Sequence, residues 1–280
     1  MSGALKGRVA VVTGASRGIG QYIAQRLGAE GATVVIAARS LNQTKDGLAG
    51  TLDDTAALVE KAGGKAIKIA CDVEDARSRT QLIHETIRQA GRIDILVNNA
   101  GRAIHAKVED FSGAQALSQV EQYLLAPFDL ARLALPHMRK QGKGWIINVG
   151  SSTAFMPEGP PWDGYTTHGG AALYAGLKAA VHRLSVSMAA EFYADNISVN
   201  VVAPVGAIFT PGVEALGVIT EETKAYLEPV EHIAEAVVAM ATAEPNSMTA
   251  QIALSYQWLD KIHRPTRTLD GTKVMQDLAP

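Results

Sequence analysis

The feature that most limits how this chain can fold is a series of six short runs rich in Val, Ile and Ala, each followed by a longer helical pattern. The runs occupy 9–13, 33–38, 66–71, 93–98, 145–150 and 197–203. They are nearly continuous in apolar residues instead of alternating with polar ones. Strands buried on both faces read this way, so a parallel sheet covered by helices on each side is predicted. The intervening patterns are long enough for right-handed crossovers. No internal repeat, low-complexity tract or linker divides the chain. The expected fold is α/β, a doubly wound parallel sheet in a single domain over 1–280 with its core at about 7–254.

The turn after the first run reads Thr13-Gly14-Ala15-Ser16-Arg17-Gly18-Ile19-Gly20. Its three glycines allow a tight turn, close approach of the backbone to a pyrophosphate and close packing of the next helix on the sheet. The positive end of that helix faces the phosphates. A Gly-rich turn alone is weak evidence. One that follows the first strand and opens a helix has the context that dinucleotide binding requires, and it makes the fold Rossmann-type. The second run ends in Ala38 and Arg39, with no carboxylate. An acid there would accept from the ribose 2′-hydroxyl of NAD and repel a 2′-phosphate. Its absence, with Arg17 and Arg39 able to make charge-assisted bonds to a phosphate, favours NADP(H) over NAD(H). Either arginine alone reads as well as a solvated surface residue. Lys45, in the polar loop 40–50, reads first as solvated and second as a phosphate contact. Thr51, ahead of Asp53 and Asp54, marks a helix N-terminus.

The third run closes on Cys71-Asp72-Val73. Asp72 serves equally well as an acceptor for the adenine amino group or as a turn residue, and Cys71 reads as a small buried hydrophobe. The fourth closes on Asn98-Asn99-Ala100-Gly101, where the glycine permits close approach to a cofactor and an Asn can tie neighbouring backbones together.

The chemistry is concentrated between the fifth run and the helix that follows it. The run ends Gly150-Ser151-Ser152, and the helix carries Tyr174-Ala175-Gly176-Leu177-Lys178. Tyr174 and Lys178 lie one helical turn apart and point the same way. An ammonium beside a phenol favours the phenolate. Tyr165 is a rival nearer to Ser151, but one turn beyond it stands Gly169, which carries no charge and disfavours a helix. Tyr174 is therefore chosen. The extra length, 153–172, becomes an inserted loop in which Phe155, Trp162, Tyr165 and His168 lie among Gly and Pro. It reads equally as an aromatic lid for a ring-bearing or long apolar substrate and as an interface loop. His168 reads as structural before catalytic.

Composition removes other classes. With 47% hydrophobic and 19% charged residues the chain can build a large core and shows no sign of disorder. A net charge of -2 gives no reason to expect nucleic acid or an anionic membrane as a partner. A single cysteine and seven scattered histidines give no metal-ligand pattern, so no metal is expected. No signal peptide and no membrane-spanning run is recognised, and a cytoplasmic location is expected.

Taken in order, the 13–20 turn, Asp72, the Asn98-Asn99-Ala100-Gly101 strand end, Ser151 and the Tyr174/Lys178 pair resemble the classical short-chain dehydrogenase/reductase (SDR) family over about 7–254. Each piece is unspecific; the ordered set is highly specific. The longer loop at 204–210 and the extended 40–50 loop place the nearest match in a hydroxysteroid dehydrogenase-like subgroup, without its lipid-carrier domain. The resemblance implies that Tyr174 is the general acid/base and that Lys178 lowers its pKa and holds the nicotinamide ribose. It implies that Ser151 polarises the carbonyl or alcohol. Gly14, Ser16, Arg17, Gly18, Ile19 and Gly20 would hold the pyrophosphate region and Arg39 the 2′-phosphate. Asp72, Val73, Asn98, Asn99, Ala100 and Gly101 would line the adenosine side. Asn200, Pro204, Ile208 and Thr210 would approach the nicotinamide end, where 206–229 forms a substrate lid.

The implied activity is NADP(H)-dependent interconversion of a small-molecule carbonyl (ketone or aldehyde) and its alcohol by hydride transfer. The alternative is an NADP(H)-binding SDR-like protein with a sensing or structural role. That alternative draws on one departure: Tyr123 stands where the family carries an Asn of its proton relay. A homodimer or homotetramer, paired through the long helices at 116–141 and 171–194, is expected by resemblance. The polar tail 256–280 would pack on a neighbouring subunit or be exposed.

Overall fold

The computed structural model describes residues 3–43, 48–210, 213–214 and 227–275. Seven strands form one parallel sheet: β1 Val9–Thr13, β2 Thr33–Ala38, β3 Lys65–Ala70, β4 Ile95–Asn98, β5 Gly144–Val149, β6 Ile197–Ala203 and β7 Ile252–Leu254. Their order is β3-β2-β1-β4-β5-β6-β7. The chain winds one way from β1 to β3 and the other way from β4 onward. The order therefore reverses between β1 and β4, and a crevice opens at the carboxyl ends of the strands.

The continuous apolar runs are explained by burial on both faces. In β1, Ala10 and Val12 join the core formed with α1 (Gly18–Ala29) and α2 (Leu52–Lys61). Val9 and Val11 join the opposite core, with residues of α3 (Ala76–Ala90) such as Leu82 and Ile83. α2 begins where expected, with Thr51 and Asp54 forming a reciprocal capping box. The long helical region after β4 starts earlier than read, as α4 (Gly113–Val120), because Ser112 and Gln115 cap it. It passes through a π-helical turn at Glu121–Leu125 and continues as α5 (Ala126–Gln141). Inside the 153–172 insert lies one short helix, α6 (Gly164–His168), capped by Asp163. α7 (Ala172–Glu191) carries Tyr174 and Lys178, and α8 (Val230–Thr242) adds Ile233 and Val237 to the first core.

Two parts of the chain differ from expectation. β7 was not read from the sequence: it is a short edge strand whose Ile252 is half-exposed, so it leaves almost no apolar pattern. The tail also does more than cover a surface. α9 (Ser255–Lys261) buries Trp258 and Leu259 in the first core, and Arg264 bonds to Glu235 of α8 at 2.7 Å. His232 Nδ1 pairs with Thr266 Oγ1 at 2.9 Å. This segment packs on its own chain through side chains too few to give a helical period. The lid expected at 206–229 lies largely outside the described residues, as does Lys45.

Candidate active site

The strand-end crevice is a cavity of about 1040 Å³ whose walls join two halves of different make. The first half is built from backbone. Gly14 and Gly18 hold left-handed conformations, φ +66° and +57°. A Cβ on Gly14 would sit 2.7 Å from Ala100 Cα, so the ends of β1 and β4 touch only because that position is glycine. Asn99 locks them: its Nδ2 donates to Thr13 O at 2.9 Å and Gly14 O at 3.2 Å. Thr13 Oγ1 accepts from the N–H groups of Asn99 and Ala100, each at 3.1 Å. The N-terminus of α1 has no side-chain cap and no acid in its first turn, and Ser16, Arg17, Gly18 and Ile19 border the cavity beside it. Farther along the wall come Ala38 and Arg39, then Asp72 and Val73, then Asn99, Ala100 and Gly101. A glycine cradle, an uncapped helix N-terminus and an acid-free β2 end fit the phosphates and ribose of a dinucleotide.

Several expected residues stand elsewhere. Gly20 does not border the cavity; a Cβ there would meet Asn99 Nδ2 at 2.4 Å and Gly14 O at 2.5 Å, so it is a packing glycine behind the turn. Asn98 is buried behind its neighbour and donates to Asn148 Oδ1 at 2.8 Å, since alternate strand residues face opposite ways. Asn200 is fully buried and ties β6 to the approach to β7, donating to Met248 O at 2.9 Å and accepting from Gln251 N at 2.9 Å. Asp72 borders the cavity and also accepts from Glu74 N at 3.1 Å, so it fixes a turn as well.

The second half is built from side chains. Ser151 follows β5, pairs with Thr153 Oγ1 at 2.8 Å and borders the cavity with Tyr174. Lys178 Nζ donates to Val149 O at 2.7 Å and lies 4.5 Å from the centre of the Tyr123 ring. The Tyr174 ring is farther, at 5.8 Å. Burial pushes Tyr174 upward, with the neighbouring Ser151 hydroxyl pulling it part of the way back. Burial also lowers Lys178 to about 7. The sequence predicts a phenol lowered by its lysine. In the structure the ammonium is aimed at a carbonyl oxygen and a ring face instead, and desolvation governs both groups. Pro204, Ile208 and Thr210 close this end, with a Cβ on Gly18 reaching Thr210 at 3.3 Å.

Phe155 and Tyr165 of the insert border the cavity beside Met156. Trp162 and His168 do not: Trp162 lies against Gly159, and His168 Nδ1 pairs with Thr167 Oγ1 at 2.7 Å. Two histidines were missed in the sequence. His105 borders the cavity with its ring 5.8 Å from Tyr174 and 6.4 Å from Tyr165, and its buried Nδ1 has no partner among the described residues. His182 lies one turn beyond Lys178 under Phe155, with ring centres 5.6 Å apart. The only sequence signals were their distances from the Asn-Asn-Ala-Gly strand end and from Lys178. A bond from Ala106 N to Gly170 O, at 3.0 Å, pins the His105 loop to the insert.

Among the described residues no cluster of His, Cys, Asp and Glu is placed to hold a metal ion, and no helix is long and apolar enough to cross a membrane. Fold and site define a doubly wound α/β protein with a dinucleotide-shaped cavity that ends at a Ser, a Tyr and a Lys.

Known proteins narrow that class. The model of the short chain dehydrogenase family matches residues 8–217. Ketoacyl reductase HetN of Nostoc sp. is 35% identical over 200 residues, which are 71% of this chain and 63% of that protein, so the match spans less than two thirds of the relative. The 3-oxoacyl-[acyl-carrier-protein] reductase FabG of Escherichia coli is 31% identical over 252 residues, covering 88% of this chain and 94% of that one. A metagenomic short-chain oxidoreductase solved in complex with NADP superposes with a TM-score of 0.71 at 30% identity, over 90% of this chain and 98% of that chain. The chain belongs to the short-chain dehydrogenase/reductase family and is an oxidoreductase. Hydroxysteroid dehydrogenase-like protein 2 of Danio rerio, at 31% identity, is no more similar than FabG, so the subgroup expected from loop lengths is not singled out.

Proposed function

We propose that the protein is an NADP(H)-dependent oxidoreductase interconverting a ketone or aldehyde with the corresponding alcohol. The observation that carries this reading is that Ser151, Tyr174 and Lys178 border the same cavity as the glycine cradle. Gly14 to Ile19 hold the pyrophosphate, Arg17 and Arg39 the 2′-phosphate, Asp72 and Val73 the adenine, and Lys178 the nicotinamide ribose. The bound nicotinamide supplies or takes the hydride. Ser151 donates to the substrate oxygen, and Tyr174 gives that oxygen its proton in reduction and removes it in oxidation. A phenol held above its ordinary pKa keeps its proton at neutral pH, which suits reduction. Phe155, Tyr165 and Met156 offer an apolar wall to a ring-bearing substrate.

The test is NADPH consumption over a panel of aryl and alkyl ketones and aldehydes, with Tyr174→Phe as the control. Loss of about 10²–10⁴ in kcat is expected for removal of a general acid. Equal turnover in Tyr174→Phe would sink the assignment. Tight NADPH binding without turnover of any substrate would instead favour a sensing or structural role. The proposed assembly is a homodimer or homotetramer through the helical regions 116–141 and 171–194, the first of which exposes Leu125 and Phe128; light scattering of the eluted protein distinguishes these from a monomer. The proposed location is the cytoplasm, tested by cell fractionation.

A further inference from the structure

Lys178 presents a charge that the rest of the site does not match. Its side chain is buried, and among the described residues its Nζ donates to a single backbone oxygen, Val149 O, at 2.7 Å. An ammonium has three donors, and a buried one needs its charge compensated. The titratable groups facing it are Tyr174 and His182 from its own helix and Tyr123 from the π-helical turn opposite; β5 offers only the carbonyl. None of these groups is an anion at neutral pH. Burial pushes both tyrosines upward, and burial together with the Lys178 charge lowers His182 to about 4.

What does face the ammonium is the Tyr123 ring, with Nζ 4.5 Å from its centre. This ring is closely held. It meets Tyr174 edge-on at 5.3 Å, it is buried to 5% exposure, and a Cβ on Gly101 would fall 2.3 Å from its Cε1. Its backbone sits at the middle of the π-helical turn, a local rewinding of a helix that re-aims a side chain. The negative face of an aromatic ring attracts a cation, most strongly where water is excluded.

We propose that Tyr123 is a positioning residue for Lys178: its ring face, turned inward by the π-helical turn, carries the ammonium and keeps it charged and aimed at the reacting end of the cavity. This rests on the proposed role of Lys178, and the face of the ring is what matters, not its hydroxyl. Tyr123→Phe keeps the face. Tyr123→Leu and Tyr123→Met keep apolar bulk and remove it.

The experiment is an NMR titration of the Lys178 Nζ resonance in protein carrying ¹³C,¹⁵N-lysine, assigned by its absence in Lys178→Met. Wild type and Tyr123→Phe are expected to titrate together, and Tyr123→Leu about one pH unit lower, the size of a desolvated cation–π contact. The alkaline limb of kcat/KM for carbonyl reduction should move down with it in Tyr123→Leu and stay in place in Tyr123→Phe. A Tyr123→Leu titration that overlays wild type overturns the proposal, as does a Tyr123→Phe shift as large as that of Tyr123→Leu. If Tyr123→Leu does not fold, Tyr123→Met carries the same expectation. The NMR result does not need turnover. An Nζ shift in a protein that reduces no carbonyl would leave the Tyr123 contact standing and remove the catalytic reading.

Discussion

The two halves of the cavity are held together by different physics. The half that fits a dinucleotide is a shape: Gly14, Gly18 and Gly101 contribute absence of a side chain, Ala38 and Ala100 only a methyl group, and Thr13 and Asn99 lock the backbones that the glycines let approach. The reacting half is a balance of charge and burial. Ser151, Tyr174, Lys178, Tyr123 and His105 come from four separate segments, and desolvation moves the titratable ones away from their ordinary values. A shape should fail when volume is added. A charge balance should fail when a charge is removed, sometimes with a gain in stability.

The sharpest test of that contrast pairs two substitutions. Gly14→Val should abolish cofactor binding, because a Cβ would press on Ala100 Cα at 2.7 Å in a backbone conformation that a β-branched residue avoids. Titration of NADPH by fluorescence should show a loss of about 10²-fold or more, from a steric overlap that backbone cannot relieve cheaply. Lys178→Met should lower kcat by about 10²-fold or more, the scale of an assisting group in proton transfer, while raising the melting temperature. Its buried amine costs stability that methionine does not. The sign follows from the lowered pKa. Between about 7 and the ordinary 10.5 the unfolded lysine binds a proton that the folded one lacks, so wild-type stability rises with pH across that window. The advantage of Lys178→Met is therefore largest below pH 7 and gone near pH 10.5. Thermal melts at several pH values check it, and a constant difference would contradict the charge account.

A smaller effect is expected where shape and charge meet. Ala38→Asp places a carboxylate at the end of β2, and the ratio of kcat/KM for NADPH over NADH should fall by about 10-fold or more, one charge–charge contact at the surface of a cleft. Smallest is the aromatic wall. Tyr165→Ala should raise KM for an aryl ketone by about 5- to 10-fold, the loss of one ring contact, and leave NADPH affinity unchanged. Trp162→Ala, outside the cavity, should change neither. Equal effects of the two substitutions would mean that the wall is not where the substrate sits.

The fold was legible because it is written in local patterns. Five of the seven strands announced themselves through apolar runs, since burial on both faces leaves no room for alternation, and β3, an exposed edge strand with Lys65 and Lys68, was still readable because it runs for six residues. β7 did not, because an edge strand of three residues is too short to carry a period. In the site, the glycine turn and the Tyr174/Lys178 spacing were readable because each depends on neighbours in sequence. Asn98 and Asn200 were misplaced because which face of a strand end meets the cavity is set by register and twist, not by residue type. Trp162 was grouped with Phe155 and Tyr165 on composition alone, and it lies against Gly159 outside the cavity that they border.

By itself the sequence determined a doubly wound parallel sheet and six of its strands, the glycine cradle and the pairing of a phenol with an amine on one helical face, all consequences of period and steric demand along the chain. Tertiary structure decided which way that amine points. It is aimed at Val149 O and the Tyr123 ring, a choice made by a π-helical turn and by burial that arises only when distant segments close around the same few ångströms. Burial is a property of the assembled fold, so the acid–base character of Tyr174 and Lys178 had no counterpart in the order of the residues.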